Sequence, residues 1–346
     1  MTTTAGARPM PDGQAARRIL SRARQSTQPL LRRAVTALPE ELQLMVGYHL
    51  GWWDRYGRPT AADTGKGLRP ALVLAAATAV GGPPGSAAHA AAAVEMIHNF
   101  TLIHDDVMDG GTLRRGRPAL WSLWGTDDAI LAGDAMHALA VRILADAPFG
   151  AIESIRRLEG SVIELCLGQH FDCACETNSN ITLEQCQMTL RHKGSALLGC
   201  ACALGALCAG AESSVVDALD GFGRELGVAF QLTDDLIGIW GDPARTGKPV
   251  GNDLMRHKHS LPVMMALQSG TLAGRELADL FLTGKHKPLD SRAVAHATHL
   301  LERAGAREWA RAESLRHIRA AKLYLPDLTG AGDLLDLTEC IVNRDH

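Results

Sequence analysis

From about Glu40 to the C-terminus, apolar residues recur at helical spacing in long runs. Short polar segments break them: GGPPGS at 81–86, GGTLRRGRP at 110–118, DAPFG at 146–150, AGAESS at 209–214 and GDPARTGKPVGND at 241–253. The pattern predicts consecutive helices joined by loops. No strand–helix alternation recurs and no internal repeat of fixed period is present, so neither a doubly wound sheet nor a solenoid fits. Helical periodicity resumes behind the polar segment TGKHKPLD at 283–290, which therefore reads as an inter-helix loop. The apolar run at 196–211 is shorter than the roughly 20 residues a bilayer span needs, and predicts a helix buried on all sides. The expected architecture is all-α, a single-domain bundle over 36–346.

The first 35 residues differ: seven arginines against one acid, Asp12, with Thr, Ala, Gly, Gln and Pro between. That composition predicts a flexible Arg-rich tail whose partner, if it has one, is unknown. Over the whole chain, 35 Lys+Arg against 38 Asp+Glu leave a net charge of -3, so no global basic field attracts nucleic acid. Any anion site must be built locally. Of the eight cysteines, Cys166, Cys200, Cys202 and Cys208 lie in apolar helical surroundings, and the C-x-C pairs do not have zinc-finger spacing. A reducing, cytoplasmic location without disulfides is expected.

The segment HNFTLIHDDVMDGGTLRRGRP, 98–118, is the most informative. On a helix Asp105 and Asp109 lie four apart and share a face, with His98 further upstream. Two such carboxylates repel unless a cation sits between them, and magnesium is the natural hard-oxygen candidate. A solvated helix end followed by a glycine turn has the same spacing. A second acidic pair, Asp234 and Asp235, follows another apolar helical stretch, with Asp242 eight residues beyond Asp234. Lys66, Arg69, Arg114, Arg115, Lys193, Lys248 and Lys258 each lie beside a turn or helix end, where their side chains suit phosphate oxygens.

With DDVMD and its RRGRP tail, DDLIGIWGD with GKPVGNDL, and GKGLRP in this order, the chain resembles the trans-isoprenyl diphosphate synthases (polyprenyl synthetases) from about residue 40 onward. The resemblance implies a bundle of long antiparallel helices around a central cavity, usually a homodimer. It also implies head-to-tail condensation of isopentenyl diphosphate with an allylic diphosphate, and about three Mg²⁺ ions per site. By motif position Asp105 and Asp109 bind two ions and Asp234 the third, with Asp106 and Asp235 supporting. Arg114, Lys193 and Lys258 fall to the allylic diphosphate, and Lys248 to substrate binding. Lys66, Arg69, His98 and Arg115 fall to isopentenyl diphosphate, and Gln231 to the neighbourhood of the carbocation.

Three departures stand out: Gly238 replaces a third Asp in the second motif, Gly194 replaces the Thr of a Lys-Thr pair, and Gly67 replaces an Arg. Ser195 is a candidate to supply the missing hydroxyl. Phe100, five residues before Asp105, with small Thr101 beside it and no two-residue insertion in the first motif, resembles the geranylgeranyl (C20) type. Two adjacent aromatics resemble the farnesyl (C15) type. The rivals are a longer-chain synthase, a terpene cyclase and a non-catalytic partner subunit. A cyclase has no use for a second diphosphate site, and a silent subunit need not keep the aspartates.

Overall fold

The computed structural model describes residues 14–60, 62, 65–83, 85–177, 182–241, 251–255, 257–283, 288–325, 328 and 330–342. The first helices are α1 (Gln14–Thr36), α2 (Glu40–His49), α3 (Leu68–Ala79) and α4 (Ala88–Met108). A small hairpin of β1 (Leu113–Arg114) and β2 (Arg117–Pro118) leads to α5 (Leu120–Trp124), α6 (Thr126–Ala145) and α7 (Ala151–Thr177). Then come α8 (Leu183–Leu190), a π-helical turn (Arg191–Ser195), α9 (Ala196–Cys208) and α10 (Ser213–Trp240). Six further helices follow: α11 (Asn252–Met255), α12 (Leu261–Leu267), α13 (Leu272–Thr283), α14 (Ser291–Arg303), α15 (Ala306–Tyr324) and α16 (Gly332–Val342). Among the described residues the expected breaks at 110–118 and 146–150 lie between helices, the first as the small hairpin, and 196–206 is buried without interruption, as its composition predicts. Among the described residues no helix is long and apolar enough to cross a membrane.

The expected flexible tail over 1–35 needs correction from residue 14 onward. Residues 14–36 form α1, which buries Ala16, Ile19, Ala23, Thr27, Leu31 and Val35. Those positions fall at helical spacing, so an apolar stripe runs beneath the arginines. Residues 1–13 lie outside the described set.

The chain divides into two compact units. The first comprises residues 1–158, 201–217 and 327–340, and the second 159–200, 218–326 and 341–346. In the first, α4 packs on α3 and α6, and α1 lies on α3 and α4. Ala90 to Ala93 of α4 are completely buried, and such small side chains let neighbouring helices approach closely. In the second, α12 packs against α8, α13 and α15. Leu232, Leu236, Leu261, Met264 and Ala310 form one apolar cluster there; Leu254, Val263, Leu277, Leu300 and Leu301 belong to another. Thr182 and Gln185 close a reciprocal capping box at the start of α8.

Candidate active site

In the first unit, α4 carries the first aspartate motif on its final turn. The Asp109 N–H donates to the Asp105 carbonyl at 2.8 Å, and Gly110 at φ +62 turns the chain away. Asp105 is half-buried and Asp109 exposed. Carboxylates at a helix C-terminus face the negative end of the helix dipole, so the arrangement favours a bound cation. Among the described residues no three His, Cys, Asp or Glu side chains are assembled into a metal cage.

Asp106 points inward and is 2% exposed. Arg114 grips it through Nε, 3.0 and 3.1 Å from its two oxygens, and through Nη2. Burial raises the Asp106 carboxyl despite this guanidinium. The contact is possible because the RRGRP segment is a tight hairpin with Arg114 opposite Arg117. Arg115 (φ +52) and Gly116 (φ +72) are both left-handed, the backbone of a type I′ turn. Arg117, which the motif reading passed over, ties the hairpin down: it donates to the carbonyls of Tyr48 and Trp53, both at 2.9 Å, and lies over the Tyr48 ring.

A cationic cluster occupies the same unit. Arg69, in the first turn of α3, is 3.2 Å from His98 Nε2, and Arg115 Nη2 donates to Asn99 Oδ1 at 3.3 Å. Lys66 is exposed on the preceding loop. Gly67 explains its own departure from the motif: it is the N-cap of α3 with φ +68 and ψ 31, a conformation costly for any side chain. Burial, then Arg69 and Arg115, hold the His98 imidazole well below its usual range.

His49, absent from the motif reading, is driven to about 3 by burial and then by Arg115 and Arg114. Between that value and the ordinary imidazole value the unfolded chain binds a proton that the folded chain refuses, so stability falls as pH drops below about 6.5. Between pH 6.5 and 5 this one group should cost about 2 kcal/mol. Thermal unfolding across that range should show a shallower loss for His49→Gln; identical slopes for the two proteins would refute it.

The second unit carries the other motif. Asp234 is half-buried on α10, while Asp235 is buried and accepts from Gln231 Nε2 at 3.0 Å. Burial pushes the Asp235 carboxyl up to about 6. Lys258 Nζ lies 3.9 Å from Asp253 Oδ2, and Lys193 Nζ lies 2.7 Å from Asp172 Oδ2. Among the described residues, the two expected phosphate-binding lysines of this unit thus each face a carboxylate. Asp253 also accounts for Gly238: a Cβ at 238 would lie 3.3 Å from Asp253 Oδ2, so an aspartate there would crowd it. Lys193 rides on the π-helical turn, which α7 can approach only because residue 168 is glycine; a Cβ there would be 2.5 Å from the Lys193 nitrogen.

The suggestion that Ser195 replaces the hydroxyl missing at Gly194 needs correction. Ser195 is buried and donates to the Arg191 carbonyl at 2.5 Å, so its hydroxyl is consumed inside the helix. Lys248 and Asp242 lie outside the described residues.

Phe100 is 8% exposed between two histidines. It stacks on His137 of α6, centroids 5.4 Å apart, and meets His104 edge-on at 4.8 Å. Thr101 donates to the His98 carbonyl at 2.8 Å. Phe100 therefore sits where α4 packs on α6, about 7.5 Å of helix rise before Asp105.

A family model described as Polyprenyl synthetase matches residues 52–299. A geranylgeranyl diphosphate synthase of Mycobacterium tuberculosis is 48% identical, with 94% of this chain and 93% of that one covered. A (2E,6E)-farnesyl diphosphate synthase of Mycobacterium bovis is 42% identical, covering 98% and 97%. Among solved structures, a polyprenyl synthetase from Streptomyces coelicolor A3(2) superposes with a TM-score of 0.90 at 36% identity, covering 94% of this chain and 98% of that one.

Proposed function

The chain belongs to the polyprenyl synthetase family and is a trans-prenyltransferase by that membership, and we propose that it condenses isopentenyl diphosphate with allylic diphosphates to give geranylgeranyl diphosphate. One observation carries this reading. The first unit carries the half-buried Asp105 and the exposed Asp109 at the end of α4, which suit a diphosphate bound through a cation, and also the cations Lys66, Arg69 and Arg115 with His98, which suit a diphosphate directly. A condensation of two diphosphates needs both, whereas a cyclase needs one. The intact aspartates argue against a silent partner subunit.

About three magnesium ions would supply the positive charge that neutralises the departing diphosphate. Asp105 and Asp109 would hold two of them, and Asp234 the third. Asp106 and Asp235 brace these residues from buried positions. Arg114 contributes from its hairpin, while Lys193 and Lys258, preset by Asp172 and Asp253, donate to phosphate oxygens. Lys66, Arg69, His98 and Arg115 orient isopentenyl diphosphate.

Once the allylic C–O bond breaks with its electrons going to the diphosphate, the alkene of isopentenyl diphosphate attacks the cation. The new C–C bond leaves a tertiary cation whose proton passes to the released diphosphate, so no side-chain base is required. Gln231, its amide nitrogen held by Asp235, offers its carbonyl oxygen to the cation without being alkylated as readily as an amine or thiol.

The chain is proposed to act as a homodimer; Ile130 and Leu131 on α6, and Ile163 and Leu167 spaced one turn apart on α7, are exposed apolar positions that fit a second copy. The exposed Cys166, which forms no disulfide, fits a reducing compartment such as the cytoplasm. The reading is tested by incubating the pure chain with isopentenyl diphosphate, magnesium and a dimethylallyl, geranyl or farnesyl starter, and measuring products by mass spectrometry. Geranylgeranyl diphosphate is expected from each. A farnesyl end product would overturn the chain-length assignment, and diphosphate release independent of isopentenyl diphosphate would point to cyclisation.

A further inference from the structure

The hairpin that carries Arg114 and Arg115 is too small to hold itself. It has two residues in each strand, Leu113 opposite Pro118 and Arg114 opposite Arg117, and a two-stranded ribbon of that size is not stable alone in water. Its turn keeps Arg115 at φ +52, a conformation that favours glycine. Two arginines also face each other across the ladder, where like charges repel. The position of the hairpin is therefore set by what grips it from outside.

That grip comes from the last turn of α2. The buried Tyr48 side chain donates through Oη to the Pro118 carbonyl at 2.9 Å. In return the Tyr48 carbonyl accepts from Arg117 Nη1 at 2.9 Å, and the guanidinium lies 3.9 Å over the Tyr48 ring. Arg117 Nη2 donates to the Trp53 carbonyl, also at 2.9 Å, and Trp124 of α5 meets the Tyr48 ring edge-on with centroids 5.1 Å apart. One residue of α2 thus gives the hairpin a hydrogen bond and takes another from it, while Arg117 caps the end of the helix it is fastened to.

We propose that Tyr48 and Arg117 are positioning residues that set the spacing between the two diphosphate sites. Arg114 reaches Asp106 from one residue of the hairpin, and Arg115 reaches Asn99 from the next. A hairpin that tilts or slides on α2 therefore moves both guanidinia at once. Neither Tyr48 nor Arg117 has to touch a substrate for this, because a displacement of about 1 Å in a binding group is enough to weaken the site it serves.

This inference rests on assigning Arg114 to the allylic diphosphate and Arg115 to isopentenyl diphosphate, and the test separates the two. Isopentenyl diphosphate has no allylic leaving group, so calorimetry measures its affinity without turnover; farnesyl thiolodiphosphate with magnesium reports the allylic site. Arg117→Met, which keeps an apolar stem and loses the fork, should weaken both ligands about fivefold, and Arg117→Lys should recover part of that loss for both. Tyr48→Phe, which keeps the ring and removes only the bond to Pro118, should weaken both about twofold to threefold, with an unfolding temperature within about 3 °C of the parent. Should Arg117→Met fail to fold, Tyr48→Phe and Arg117→Lys decide by the same two affinities. Arg114→Gln should weaken only the farnesyl analogue, and Arg115→Gln only isopentenyl diphosphate. A merely structural clip would lower the unfolding temperature and leave both affinities unchanged, which overturns the inference, as does a loss confined to one ligand. With Arg114→Gln and Arg115→Gln behaving as expected, that outcome removes only the role of Tyr48 and Arg117. If either of those controls weakens the other ligand or none, the assignment of the sites falls and the inference with it.

Discussion

Asp105→Ala is expected to lower turnover by about 10³-fold while leaving the unfolding temperature nearly unchanged. The two halves of that expectation have different causes. Asp105 stands half-buried on the last turn of α4, where the helix dipole already disfavours a carboxylate, so its removal relieves repulsion rather than breaking packing. What would be lost, on the proposed reading, is a hard oxygen ligand for magnesium. Asp106→Ala offers the contrast. It strips the partner from Arg114, a part-buried guanidinium, and should cost about 2 kcal/mol of stability as well as activity. Steady-state rates and thermal unfolding of the two variants check this, and chelation of magnesium should silence the unmodified enzyme to the same extent as Asp105→Ala. An Asp105→Ala enzyme within tenfold of the parent rate would remove the carboxylate from the mechanism.

Phe100→Ala should shift the dominant product beyond geranylgeranyl diphosphate. The ring lies between His137, stacked, and His104, edge-on, on the seam between α4 and α6, and on the proposed reading a chain growing past the end of α4 would meet it. Deleting it opens the space between two imidazoles. The same deletion removes most of a buried aromatic and should cost about 3 kcal/mol, which is large for one side chain. Phe100→Leu is therefore the companion variant: it retains much of the volume, should fold normally, and should give a minor fraction of longer product. Mass spectrometry of products from a farnesyl starter reads both. Unchanged product length in both variants would return Phe100 to an ordinary core role.

The helix order was legible because the breaks are marked by Gly, Pro and Asp clusters, and because 196–206 is too apolar to lie anywhere but inside. The register of α1 escaped because its buried stripe is made of small and single apolar residues, Ala16, Ile19, Ala23 and Thr27, hidden among arginines. The helical placement of Asp105 and Asp234 was legible from the apolar periodicity that precedes them. Their partners were not. Asp172 and Lys193 are 21 residues apart and meet only because a π-helical turn and Gly168 let α7 approach. Arg24 reaches Gly67 from another helix, a contact no local pattern encodes. The departures at Gly67 and Gly238 became intelligible only with the backbone angle at one and the carboxylate of Asp253 at the other.

The central claim is that carboxylates at the end of α4 bind an allylic diphosphate through magnesium. Calorimetric titration with farnesyl thiolodiphosphate, with and without Mg²⁺, tests it most directly on the parent chain and on Asp105→Asn/Asp109→Asn. The account predicts tight binding by the parent only with the metal, and at least about 30-fold weaker binding by the double variant under the same conditions. Equal affinity with and without magnesium, or a double variant that binds like the parent, would contradict it.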